Sequence, residues 1–105
     1  MAKGMGNMQG MMQQMKKLQR DMEKEQQSLE ESFFEATDHQ NLVSVKVNGK
    51  KELVELTIQE ALVDPEDVDM LQDLVIATVN EALSQVDAAT QERMGRFTQG
   101  LNLPF

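Results

Sequence analysis

From Met8 onward, apolar residues recur at spacings of 3, 4, 3, 4 and 7: Met8, Met11, Met15, Leu18, Met22 and Leu29. This is the a/d rhythm of a helix with one apolar seam. Glu25 falls on the d position where the rhythm lapses, so the seam is loose there or turns outward. Gly4, Gly6 and Gly10 each cost a helix interior about 1 kcal/mol relative to Ala, which predicts a frayed leader over residues 1–10.

After Leu29 the period becomes alternating, through FFEATD (33–38), LVSVKV (42–47) and ELVELTI (52–58), and predicts three short strands. Setting Val47 opposite Val54, Val45 opposite Leu56 and Val43 opposite Ile58 makes every pair apolar. Ser44, Lys46, Glu55 and Thr57 then lie on the other face, so the sheet buries one side. A two-residue Asn48-Gly49 turn would set Val45 opposite Glu52, so NGKKE is expected to form a slightly longer loop.

Asp64-Pro65-Glu66-Asp67 reads as the start of a second helix, with Asp64 as N-cap and Pro65 at the first helical position. This helix is expected to run to about Arg93, with Met94-Gly95 closing it and residues 95–105 an irregular tail. It carries two adjoining apolar stripes: Val68, Leu71, Val75, Ala82, Val86 and Ala89, and Ile76, Val79, Leu83 and Val86. A face that wide covers two surfaces, one the sheet and the other a partner chain. The fold class is therefore α+β, with a long N-terminal helix, a three-stranded antiparallel sheet and a long C-terminal helix, assembled as a homodimer. The expected seam and core residues are Met11, Met15, Leu18, Met22, Leu71, Val75, Val79 and Leu83.

Composition supports partnership. A chain of 105 residues that is 40% apolar, with four Phe and no Trp or Tyr, reads as a single domain over residues 1–105 with a thin core, for which oligomerisation is one remedy. With no cysteine, disulfides and thiolate metal sites are excluded. No segment reaches the roughly 20 apolar residues of a membrane span, and glycine and glutamine interrupt the amino end, so the chain reads as soluble and unexported.

The net charge of −8 is unevenly spread: +3 over residues 1–24, −13 over 25–92 and +2 over the remainder. With Met15 at a, Lys17 and Lys24 fall at c and Arg20 at f, away from the seam, with Lys16 beside them at b. Such a strip is ordinarily a solvated helix face. Its survival in so acidic a chain, its duplication in a dimer and the presence of Arg93 and Arg96 raise the alternative, a surface for phosphates.

Other chemistries fare worse. Six methionines within residues 5–22 include MxxM spacings that suit copper(I), but the stripe continues unbroken into Leu18 and Leu29, as an adaptable hydrophobic face would. A basic amphipathic helix also suits an anionic membrane, yet its apolar face has no Trp and no Phe before Phe33. His39, the single histidine, lies in a polar loop without a nucleophilic partner, and Glu66, Asp67, Asp69 and Asp73 are explained by the helix start they crowd. No glycine loop follows a strand to cradle phosphates. Neither enzyme activity, nor a cofactor, a metal or a small-molecule substrate is expected.

Together, the Gly/Met-rich start leading into MQQMKKLQ, the hairpin LVSVKVNGKKELVELTI, the segment DPEDVDMLQDLVIATVNEAL and the ending MGRFTQGLNLPF resemble the YbaB/EbfC family of bacterial nucleoid-associated proteins. The resemblance implies a homodimer with protruding, tweezer-like helices that binds duplex DNA in the cytoplasm, at the nucleoid, without catalysis or cofactor. It also implies that the DNA-contacting surface lies on those protrusions, which here carry Lys16, Lys17, Arg20, Lys24, Arg93 and Arg96. One departure is the loop TDHQN (37–41), where the family is often glycine-rich. A reading of a different class is an adaptor whose helical faces grip another protein without touching DNA.

Overall fold

The computed structural model describes the backbone of residues 2–101 and the side chains of residues 8–97. Its order is α1 (Ala2–Glu31), β1 (Phe33–Thr37), β2 (Val43–Asn48), β3 (Leu53–Ile58), a short 3₁₀ turn (Glu60–Leu62) and α2 (Val68–Leu101). The strands form one antiparallel sheet in the order β1-β2-β3. The expected two long helices and three-stranded antiparallel sheet are present.

Burial follows the alternation in β2. Val43, Val45 and Val47 are buried on one face, and Ala36, Leu62, Ala82 and Val86 complete the core with them. Phe34, Leu71, Leu74, Val75, Val79 and Leu83 pack around that core, half-buried. On the solvent face Lys46 lies between Glu35 and Glu55, at 3.6 and 3.4 Å.

The β2–β3 register holds for Val43 with Ile58 and Val45 with Leu56, but Val47 pairs with Leu53 and not with Val54. A bulge intervenes, and its cause is the turn. The Asn48 carboxamide oxygen accepts the N–H groups of Lys50 and Glu52, Lys51 N–H donates to the Asn48 carbonyl, and Lys51 takes a left-handed φ of 65°. This is the longer loop expected, and the extra residue it introduces is absorbed at Val54.

β3 differs further. Its apolar residues Leu53, Val54 and Leu56 are exposed, because α2 packs over β1 and β2 and leaves β3 uncovered. The one-sided burial expected of the sheet therefore stops at β2.

Asp64 does not cap α2. Asp67 N–H donates to the Asp64 carbonyl at 3.0 Å and the Asp64 carboxylate accepts Glu66 N–H at 3.0 Å, a turn for which Asp first and Pro second are favoured residues. Asp67 is the N-cap, accepting Met70 N–H at 3.3 Å. At the other end Gly95 does not close the helix, which continues to Leu101. Phe97 is buried, and burying such a side chain is worth about 1.5–3 kcal/mol, against about 1 kcal/mol for a helical glycine. Residues 102–105 of the expected tail lie outside the described residues. The leader also differs: α1 is helical from Ala2, with the good helix formers Ala2, Lys3, Met5, Met8 and Gln9 set among its glycines. Among the described residues, no helix is long and apolar enough to cross a membrane.

Candidate nucleic-acid interface

Lys17, Arg20 and Lys24 fall at spacings of 3 and 4 on α1, on one face, with Lys16 alongside. All four are exposed, and among the described residues none lies within 4 Å of a carboxylate partner. They span about 12 Å of helix axis at 1.5 Å per residue. Of the lysines in the sheet and its turn, Lys46 is paired as above and Lys51 pairs with Asp87 at 2.5 Å, while exposed Lys50 has no such partner among the described residues.

Arg93 and Arg96 meet α1 just beyond this strip, where both reach Glu25. Arg93 Nε donates to Glu25 Oε1 at 2.5 Å and Arg96 Nη2 to Oε2 at 3.3 Å. Arg93 also donates to the hydroxyls of Ser32 and Ser28, at 3.3 and 3.0 Å. The bond from Arg93 is the main reason the Glu25 carboxyl is held below its usual range, against desolvation that raises it. Arg96 remains largely exposed and its guanidinium lies 5.0 Å from the Phe97 ring centroid.

Glu25 therefore faces α2 and is not turned outward. Sequence reading noted its position as a lapse in the stripe and missed its partners. An acid at d on one helix with two arginines three residues apart near the end of the other was the available signal.

These contacts also set the stagger of the helices. Glu25 and Ser28 opposite Arg93 place Leu101, the last described residue of α2, beside about residue 20 of α1. The preceding part of α1 extends past that point for roughly 27 Å. This explains why Met8, Met11, Met12 and Met15 are exposed while Leu18 and Met22 are half-buried. Of the expected seam, Met11 and Met15 are thus exposed among the described residues, whereas Leu71, Val75, Val79 and Leu83 pack on the sheet core.

Most acidic residues are remote from the strip, although Asp21 and Glu23 lie on α1 among its cations. Asp69, near the start of α2, stands about 40 Å along that helix from Arg96, several times the roughly 10 Å screening length at 0.1 M salt. The net charge of −8 is accordingly a poor guide to the potential around α1. His39 is exposed in the β1–β2 loop, and among the described residues no group of three His, Cys, Asp or Glu could hold a metal.

Residues 5–101 match the model of the YbaB/EbfC DNA-binding family. The chain belongs to this family. Similar relatives include the Bacillus subtilis nucleoid-associated protein YaaK, 56% identical over 96% of this chain and 94% of that protein. A nucleoid-associated protein of Oceanobacillus iheyensis is 50% identical over 94% of this chain and 95% of its own length. Among solved structures, an uncharacterized protein of Helicobacter pylori, 20% identical, matches with a TM-score of 0.62 over 74% of this chain and 90% of that one. That likeness shows a shared fold. Within the YbaB/EbfC family, then, this chain keeps a cationic strip on α1 and ties two further arginines to Glu25.

Proposed function

We propose that this chain is a nucleoid-associated protein that binds duplex DNA as a homodimer, chiefly through phosphates and with low sequence specificity. The observation that carries the proposal is the exposed strip Lys16, Lys17, Arg20 and Lys24, without carboxylate partners among the described residues, in a member of a DNA-binding family. Lysines and arginines on an exposed face attract the phosphate backbone whatever the base sequence. Arg96, held by one 3.3 Å contact, can join them. The work would be done in the cytoplasm, at the nucleoid, with no catalytic step and no cofactor.

The homodimer reading draws on the uncovered apolar surface. Leu53 and Leu56 share the sheet face that α2 covers over β1 and β2, and Ile76 is 58% exposed on α2 beside half-buried Val75 and Val79. A second copy of the chain is the occupant that buries these side chains and doubles the strip in one step.

Fluorescence anisotropy with a duplex oligonucleotide at low ionic strength tests the DNA reading. Binding is expected, indifferent to sequence, weakening steeply with salt and lost in the Lys17→Glu/Arg20→Glu double variant. Absence of binding, or binding untouched by the double variant, rejects it.

A second reading, an adaptor that grips another protein, is favoured by the exposed methionines Met8, Met11, Met12 and Met15, which form an adaptable apolar face. Pull-down from nuclease-treated lysate separates the two. Partners that vanish with the nucleic acid support DNA binding; partners that survive support the adaptor.

A further inference from the structure

α1 carries the strip, yet little apolar packing holds it. Among its described residues only Leu29 is buried, and Met8, Met11, Met12 and Met15 of its apolar face are exposed. The direction in which such a helix leaves the sheet needs another determinant.

Arg93 supplies one. Its acceptors Glu25 and Ser28 on α1 and Ser32 immediately past its end lie at spacings of 3 and 4, so they follow one side of the helix over successive turns, and each takes a different nitrogen of the guanidinium. Because the guanidinium is planar and rigid, three contacts through three nitrogens fix orientation as well as distance. Ser32 is itself oriented, its hydroxyl donating to the Ser28 carbonyl at 2.8 Å. Glu25 closes the arrangement and shares its second oxygen with Arg96. The two arginines therefore differ: Arg93 is half-buried and held three ways, whereas Arg96 makes a single long contact.

We propose that Arg93 is a positioning residue that fixes the direction of α1 relative to α2 through Glu25, Ser28 and Ser32, and so sets where Lys17, Arg20 and Lys24 stand for a DNA backbone. The DNA part rests on the reading above; the geometric part stands without it.

The cysteine-free chain permits clean labelling. Spin labels at Gln14→Cys on α1 and Asn80→Cys on α2, both exposed positions, report the distance between the helices when the labelled chain is diluted with unlabelled chain. Arg93→Ala is expected to shift or broaden that distance. It should weaken DNA binding by roughly 2- to 30-fold, the range for residues that act through packed neighbours. The slope of log affinity against log salt should remain that of the parent, because every phosphate-binding side chain is still in place. Arg93→Lys, which keeps the charge but not the fork, should behave as Arg93→Ala does. If Arg93→Ala fails to fold, Ser28→Ala/Ser32→Ala, which changes no charge, is expected to give a smaller shift in the same direction with the slope preserved.

An unchanged distance distribution overturns the proposal. So does a salt slope shallower by about 0.9, the signature of one fewer neutralised phosphate and hence of a direct ligand. A shifted distance with undiminished affinity refutes the link to DNA. If the parent protein does not bind DNA, the reading of function falls, and the distance measurement alone decides the role of Arg93.

Discussion

Asp38 organises a loop from which glycine is absent. One carboxylate oxygen accepts the N–H groups of Leu42 and Val43, each at 2.6 Å, and the other accepts that of Gln40 at 3.0 Å, while Asn41 takes a left-handed φ of 59° that asparagine tolerates. TDHQN thus makes the β1–β2 connection by hydrogen bonding. These bonds, the one from Val43 foremost, hold the Asp38 carboxyl below its ordinary value of 3.8, against desolvation that raises it. A depressed carboxylate stabilises the fold above its unfolded value, and that contribution disappears as pH falls through the folded value. Stability should accordingly fall on acidification below about pH 4, and Asp38→Ala should lower the denaturation midpoint at pH 7 while flattening the acid limb. Urea titrations at pH 7 and pH 3 measure both effects; a variant with the parent's acid limb would remove Asp38 from the explanation. Gly49 illustrates a different constraint. A Cβ there would overlap the Leu29 carbonyl oxygen, and Gly49 N–H donates to the Ser32 carbonyl at 3.1 Å, so the hairpin abuts the end of α1 backbone to backbone. Gly49→Ala is expected to cost about 1–3 kcal/mol, as overpacking does, read from the urea midpoint at unchanged slope.

Among the elements, those set by local period were legible in the sequence and those set by distant contacts were not. The alternation in VSVKV marks β2 because a residue's face depends only on its parity. The exposure of Leu53 and Leu56 was illegible, because it depends on which strands α2 covers. Asp64-Pro65 was misread because the same residues favour a turn and a helix start; the hydrogen bonds, with Asp67 capping, decide for the turn. In the candidate site, the strip on α1 followed from helical spacing, whereas the engagement of Arg93 by Glu25 needed a contact across 68 positions of sequence. Gly95 was read as a stop because glycine commonly ends helices, but α2 passes through it to bury Phe97. Its φ is not left-handed and a Cβ there would meet nothing within 4 Å. Gly95→Ala should therefore stabilise the protein by about 0.4–1 kcal/mol, through a less flexible unfolded chain and better helix propensity. A raised thermal midpoint checks this, and a lowered one would place the end of α2 at Gly95 after all.

For the whole molecule the decisive quantities are its length and the separation of its charges. Its radius of gyration is 21.4 Å, against about 13 Å for a compact chain of this size, because the helices run beyond the sheet to an extent of 80 Å. An elongated shape lets one end be cationic while the chain remains strongly acidic. It also makes the proposed dimer measurable through its effect on DNA. If Lys16, Lys17, Arg20 and Lys24 each meet a phosphate in both copies, the slope of log affinity against log salt should be roughly −7, a drop of about four decades between 50 and 200 mM. Leu56→Glu/Ile76→Glu places charges on side chains that are already exposed in the single chain, so the fold should survive while association is abolished. Light scattering is expected to show half the parent's mass, circular dichroism an unchanged helix content, and the DNA titration a slope near half. A variant that becomes monomeric with an undiminished slope would mean that one copy makes all the phosphate contacts, and the second copy would then be needed only to cover β3 and α2.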